Sequence, residues 1–135
     1  MKEKIVCVWI GTFKDKDEFY GKYLDINYRQ SPSTSPFGKD AGLGRYDEDF
    51  IESWFFDKLT FKSLSEYKES LLDSEYFFDD LLQELSQKDL NTRNTITFLF
   101  GMGGHNAINK HLFEYKGMQT AEKPIEFVFS KKYQC

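Results

Sequence analysis

Hydrophobic and polar positions divide the chain into segments of different period. Ile5-Val6-Cys7-Val8-Trp9-Ile10 is apolar on both alternating faces and β-rich, which predicts a strand in the interior of a sheet, ended by Gly11-Thr12. From Asp15 to Tyr28 the spacing turns helical. Phe19, Tyr23 and Ile26 fall at i, i+4 and i+7, with Tyr20 and Leu24 beside them, and Gly21 weakens the helix without forbidding it. Residues 29–45 carry turn chemistry in Ser31-Pro32-Ser33-Thr34-Ser35-Pro36. Ser35 could cap a short helix with Pro36 at its first position, broken by Ala41-Gly42-Leu43-Gly44. So long a connection is often functional.

The segment from Tyr46 to Phe56 fits two periods. Phe50 with Trp54, and Ile51 with Phe55, have helical spacing, while the aromatic density also fits a strand end; a helix or a mixed segment is expected. Ser63-Leu64-Ser65-Glu66 has the form of a capping box, with Leu64, Tyr67, Leu71 and Leu72 on one face of the helix that follows. A further helix is expected from about Ser74, burying Phe77, Phe78, Leu81, Leu82 and Leu85 and exposing Asp79, Asp80 and Glu84. After Asn91 the period becomes two. Strands are expected at Thr95–Phe100, somewhere within Ile108–Lys116, and at Ile125–Ser130. The sum is an α+β fold: about four mainly antiparallel strands, the N-terminal one plus a C-terminal meander, with three or more helices on one or both faces.

Composition narrows the classes. The chain of 135 residues is long enough for one domain, taken as 1–135, with a core that needs no disulfide or metal. With 18 basic and 22 acidic residues the net charge is −4, a poor balance for gripping nucleic acid. Cys7 reads as core and Cys135 is its only companion, so no disulfide framework is expected and a reducing cytoplasm is. The six apolar residues Ile5–Ile10 are too few for a signal segment or a membrane span. His105 and His111 lack metal-site spacing, and Cys7 mid-strand would be a disfavoured nucleophile. Gly101-Met102-Gly103-Gly104 lacks the Lys-Ser/Thr of a phosphate loop and reads as a Gly-rich hairpin turn. No catalytic residue, metal or cofactor is assigned.

The sharpest chemical feature is Asp47-Glu48-Asp49 with Glu52. It could be a protein-recognition surface with Tyr46, Phe50 and Trp54 as anchors. It could be a Mg²⁺ site, or simply the solvated start of a helix. A second acidic group, Asp73, Glu75, Asp79, Asp80 and Glu84, repeats like charge at helical spacing, which costs a few tenths of a kcal/mol per pair. A solvated helix face and a negative docking surface both fit it. Aromatic residues are 18% of the chain, more than a core of this size needs, and Tyr and Trp favour interfaces.

Trp9-Ile10-Gly11-Thr12-Phe13, Ser35-Pro36-Phe37-Gly38-Lys39-Asp40 with Gly42, and Tyr46-Asp47-Glu48-Asp49-Phe50-Ile51-Glu52 together resemble immunity protein family 22, associated with bacterial polymorphic-toxin and contact-dependent inhibition loci. The likeness covers most of the first 60 residues. It implies a small cytosolic protein, without catalytic residues, that binds and neutralises a cognate toxin domain, often a nuclease. The expected partner is therefore a basic toxin C-terminal domain, with no nucleic acid and no membrane, and an oligomeric state left open. The expected toxin-binding residues are Tyr46, Asp47, Glu48, Asp49, Glu52 and Trp54, with Asp79 and Asp80 added. The alternatives are a metal-dependent hydrolase using Asp47, Asp49 and Glu52, and a general interaction adaptor.

Overall fold

The computed structural model describes residues 2–25, 35–117 and 123–135. Strands β1 (Glu3–Gly11), β2 (Ile51–Phe55), β3 (Thr95–Met102) and β4 (Ile125–Gln134) form one antiparallel sheet in the order β2-β3-β1-β4. The α+β class and the four-stranded sheet are as the sequence predicts, and β1 is interior. The C-terminal meander is not: β1 lies between β3 and β4, so the last two strands never meet. The strand expected within Ile108–Lys116 is also absent. The chain does reverse after Gly103-Gly104, but it makes one bridge, Ile108 to Met102. Asn109 then adopts left-handed φ of 48° and starts the 3-10 helix Lys110–Glu114, which buries Leu112. β2 fills the place in the sheet instead.

β1 is buried on both faces because each face of the sheet has its own helical cover. Val6, Val8 and Ile10 meet Leu64 of α2 (Phe61–Tyr67) and Phe78, Leu81 and Leu85 of α3 (Phe78–Leu85). Ile5, Cys7 and Trp9 meet Phe19 and Tyr23 of a π-helix (Asp17–Tyr23) and Phe37 and Ala41 of α1 (Pro36–Ala41). Two cores divide the aromatic residues, with Trp9, Phe19 and Phe37 in one and Phe77 and Phe98 in the other, all fully buried. Most of the aromatic surplus is thus structural. Burial pushes the Cys7 thiol up to about 12, so it has no thiolate chemistry at neutral pH.

β4 serves both cores by changing face. Trp9 pairs with Phe127 but Val8 with Phe129, leaving Val128 as the extra residue of a bulge. Ile125 and Phe127 therefore join the Trp9 core, while Val128, Phe129 and Tyr133 join the other.

Local signals place several helix ends. Ser35 accepts the Gly38 N–H at 3.0 Å with Pro36 in the first turn, and Gly42 closes α1 at φ 67°, as the sequence predicts. The expected capping box is displaced by one turn. Thr60, not Ser63, is the cap: the Ser63 N–H donates to Thr60 Oγ1 at 3.0 Å and the Thr60 N–H to Ser63 Oγ at 2.9 Å. Consequently α2 ends at Tyr67, and Tyr67 and Leu72 are exposed rather than core. The chain from Ser74 is first a 3-10 turn, Ser74–Tyr76, and α3 starts only at Phe78. Phe77, Phe78, Leu81 and Leu85 form its buried stripe, with Leu82 half-buried. The first helix is a π-helix because Phe19, Tyr23 and Leu24 all turn inward; the wider turn, with Leu24 N–H on Phe19 O at 2.9 Å, accommodates i, i+4 and i+5 on one side. Ile26–Tyr28 and Ser31–Thr34 lie outside the described residues.

Ion pairs tie the connection between α3 and β3 to β4. Glu126 receives Lys88 at 2.8 Å and Arg93 at 2.9 Å. Burial alone would raise its pKa, but the two cations outweigh that and hold it below 4.5.

Thr60→Ala is expected to lower stability by about 1 kcal/mol in urea unfolding, while Glu66→Ala stays within about 0.5 kcal/mol. The opposite ranking would restore Ser63 as the cap. Because the Glu126 pKa is depressed, its stabilisation is present above 4.5 and fades as pH falls through the lower folded value. Glu126→Gln should therefore cost something under about 1 kcal/mol at pH 7, since the pair is partly screened by solvent. Urea midpoints of parent and variant should converge in acid.

Candidate functional site

The segment leading into β2 is anchored before it is exposed. Tyr46 is buried, with its ring edge-on to Phe37 at 6.0 Å and its hydroxyl 3.4 Å from Ser35 Oγ. It is therefore a core residue that fixes the chain, and it also lines the groove beside the turn. The next three residues, Asp47, Glu48 and Asp49, are exposed. Asp47 caps the 3-10 turn Glu48–Phe50 by accepting the Asp49 N–H at 3.0 Å. The mixed reading of this segment holds, but from Ile51 to Phe55 it is strand and not helix. Pairing with β3 supplies long-range hydrogen bonds that helical spacing alone does not weigh.

Asn109 braces the acidic turn. Its Oδ1 accepts the Asp47 N–H at 2.7 Å, and its Nδ2 donates to Phe100 O at 2.9 Å and more weakly to Asp47 O at 3.4 Å. One nearly buried amide thus joins the turn to the end of β3, and its left-handed backbone suits Asn better than most residues.

The turn rims an open groove of about 990 Å³. Gly103, Gly104 and Phe113 contribute backbone and apolar wall. Four carboxylates line it, Glu3, Asp47, Glu48 and Glu114, against the cations Arg45 and Lys110. His111 also lines it, and desolvation lowers its pKa, favouring the neutral imidazole. Among the described residues none of these groups forms an ion pair within the chain. The groove can therefore offer unpaired negative charge above an apolar surface.

The other expected residues lie elsewhere. Glu52 and Trp54 project to the α2 and α3 side of the sheet, opposite Phe98 and Ile96. Burial raises the Glu52 pKa, partly offset by a hydrogen bond from the Leu72 backbone. Trp54 packs on Phe98 at 5.3 Å and Tyr67 at 5.4 Å. Asp79 and Asp80 stand on α3 near β4, the opposite edge of the sheet from β2, and Asp80 pairs with Lys131 at 3.0 Å. The eight expected residues thus fall into three regions. The set Asp47, Asp49 and Glu52 does not converge, and among the described residues no group of three or more His, Cys, Asp or Glu is arranged to hold a metal ion. Glu3, Asn109, Phe113 and Glu114 were not legible as site residues. An Asn among apolar positions hints at a left-handed turn, but its partners are far away in sequence.

Asn109→Ala should cost about 1–3 kcal/mol, because the buried Phe100 carbonyl and the Asp47 amide lose their partner. It should also speed hydrogen exchange at the Asp47 amide more than at β1 amides, measured by NMR.

No helix among the described residues is long and apolar enough to cross a membrane. No curated protein and no solved structure matches the chain. Residues 6–133, nearly the whole length, match the family model described as Immunity protein 22. The resemblance met in the first 60 residues extends through both cores, and the chain belongs to the Immunity protein 22 family.

Proposed function

We propose that this chain is a non-enzymatic inhibitor that neutralises a cognate toxin domain by seating a basic loop of the toxin in the groove beside the Asp47–Asp49 turn. The family supports a toxin-neutralising role in general. What favours this part of the surface is that Asp47 and Glu48, with Glu3 and Glu114, form no ion pair among the described residues and outnumber the groove's two cations, Arg45 and Lys110. Asp49 adds a fifth at the turn. A braced turn loses little freedom on binding, which lowers the ordering cost of the complex. Phe113 and the Gly103-Gly104 backbone give an apolar side chain of the partner somewhere to dock.

A nuclease is the toxin class this chemistry suits best. Its active surface is built to attract phosphates, and carboxylates fixed on a rigid turn occupy the same positive field. Long-range attraction raises association rates, up to roughly 10⁸–10⁹ M⁻¹s⁻¹ at low salt, while the apolar contacts slow release. The cytoplasm is the compartment in which such a toxin must be met, and the two free thiols are compatible with it.

Changing Asp47 and Asp49 together to Lys should slow association with the toxin domain of the neighbouring gene by tenfold or more and flatten its salt dependence, by stopped-flow or surface binding. The control is Asp79→Lys, on the far edge, which should bind as the parent does. Unchanged association by a folded double variant would remove the turn from the interface.

A further inference from the structure

The two edges of the sheet are finished differently. β4 carries a bulge at Val128 and the consecutive cations Lys131 and Lys132, devices that discourage another strand from pairing. β2, Ile51-Glu52-Ser53-Trp54-Phe55, has no Pro, no Lys and no bulge. Phe56 N–H donates to Asn94 O at 2.8 Å, which sets the phase of the β2–β3 ladder. Glu52 and Trp54 then exchange hydrogen bonds with β3, and residues 51, 53 and 55 turn their N–H and C=O groups outward. Ile51 N–H is taken by Glu48 O. Among the described residues, the Tyr20 hydroxyl bridges the rest, donating to Ser53 O at 3.3 Å, a long hydrogen bond, and accepting from the Phe55 N–H.

The surface beside this edge is aromatic. Trp54, Phe56 and Tyr67 have ring centroids 5.2–6.3 Å apart, and Tyr67 and Leu72 are 45% and 46% exposed. Glu52 is the one acid on β2 and forms no ion pair among the described residues. The strand also continues directly from the acidic turn, so a partner held at Asp47–Asp49 is delivered to it.

We propose that the β2 edge is a second docking surface, on which an extended segment of the toxin adds as a fifth strand, with a Lys or Arg beside Glu52 and an apolar side chain against Trp54. This rests on the toxin-binding reading and extends it from the groove to the sheet. Main-chain pairing holds the segment, and the Glu52–aromatic face selects a cation, whose charge the carboxylate meets and whose stem the rings cover. Tyr20 yields the Ser53 carbonyl and the Phe55 N–H to the incoming strand. A second copy of this chain fits less well. Antiparallel pairing about Ser53 sets the two Glu52 residues diagonally across the seam, roughly 7–8 Å apart, so their carboxylates share one face with like charge.

The test is amide exchange by NMR on the full chain, alone and with the toxin domain of the neighbouring gene, supported by binding measurements on Glu52→Lys and the near-isosteric Glu52→Gln. In the complex the Ser53 and Phe55 amides should slow by tenfold or more. Glu52→Gln should weaken binding severalfold and Glu52→Lys tenfold or more, with Gln guarding against misfolding as the cause. If the toxin domain binds, and the Asp47, Asp49 double-lysine variant impairs it, yet Ser53 and Phe55 exchange at their free rates, the edge proposal fails and the groove stands. If the toxin domain does not bind the parent chain, both readings fail. Protection of these amides in the chain alone, with a dimer in sedimentation, assigns the edge to a second copy and overturns the proposal.

Discussion

A strand buried on both faces is the constraint from which the rest of this structure follows. β1 cannot be placed at an edge or under a single helical layer, because Val6, Val8 and Ile10 on one side and Ile5, Cys7 and Trp9 on the other all need apolar cover. Two flanking strands satisfy its backbone, and two helical layers satisfy its faces. At about 25 cal/mol per Å² of buried apolar surface, no one-sided arrangement recovers the second face. The bulge at Val128 belongs to the same solution, since it lets β4 contribute to whichever core its local position faces.

Centring the sheet on β1 also decides where charge can work. The N-terminal end of β1 and the C-terminal end of β3 lie together, with Lys4 opposite Met102. That brings Glu3, Gly103 and Gly104 to one side of a groove whose other wall is the Asp47 turn and the 3-10 helix after Asn109. Residues from three distant parts of the chain share this surface because strand order puts them there.

How much of this was legible depended on whether the deciding contacts are local. The Ser35-Pro36 start and Gly42 end of α1 are local chemistry and lie where the sequence puts them. So do the apolar run of β1 and the stripe of α3. Ser63 has the local form of a cap in sequence, but in the fold Thr60, one turn earlier, is the cap and Ser63 is its partner in the box. β2 is a strand because β3 offers it a partner; by spacing alone Phe50 and Trp54 fit a helix equally well. In the site, the exposure of Asp47–Asp49 was legible, since three adjacent acids seldom turn inward. The burial of Tyr46 was not, because its ring suits a core and an interface alike, and Ser35 and Phe37 were needed to claim it.

A net charge of −4 would be unremarked if the acids were evenly paired; what matters is which are left over. Every ion pair among the described residues lies toward α3, β4 or the chain leading to α3: Lys88 and Arg93 with Glu126, Lys131 with Asp80, and Lys4 with Asp73. Three of those cations, Lys88, Arg93 and Lys131, thus cancel acid on the β4 side of the sheet. The carboxylates of the Asp47–Asp49 turn and Glu52 form no ion pair among the described residues, and the groove beside the turn holds four acids against Arg45 and Lys110. Pairing, more than composition, therefore gives the molecule its electrical direction. That direction coincides with the β2 edge, which carries no Lys, Pro or bulge, so unpaired acid and the less protected strand lie on the same side of the sheet.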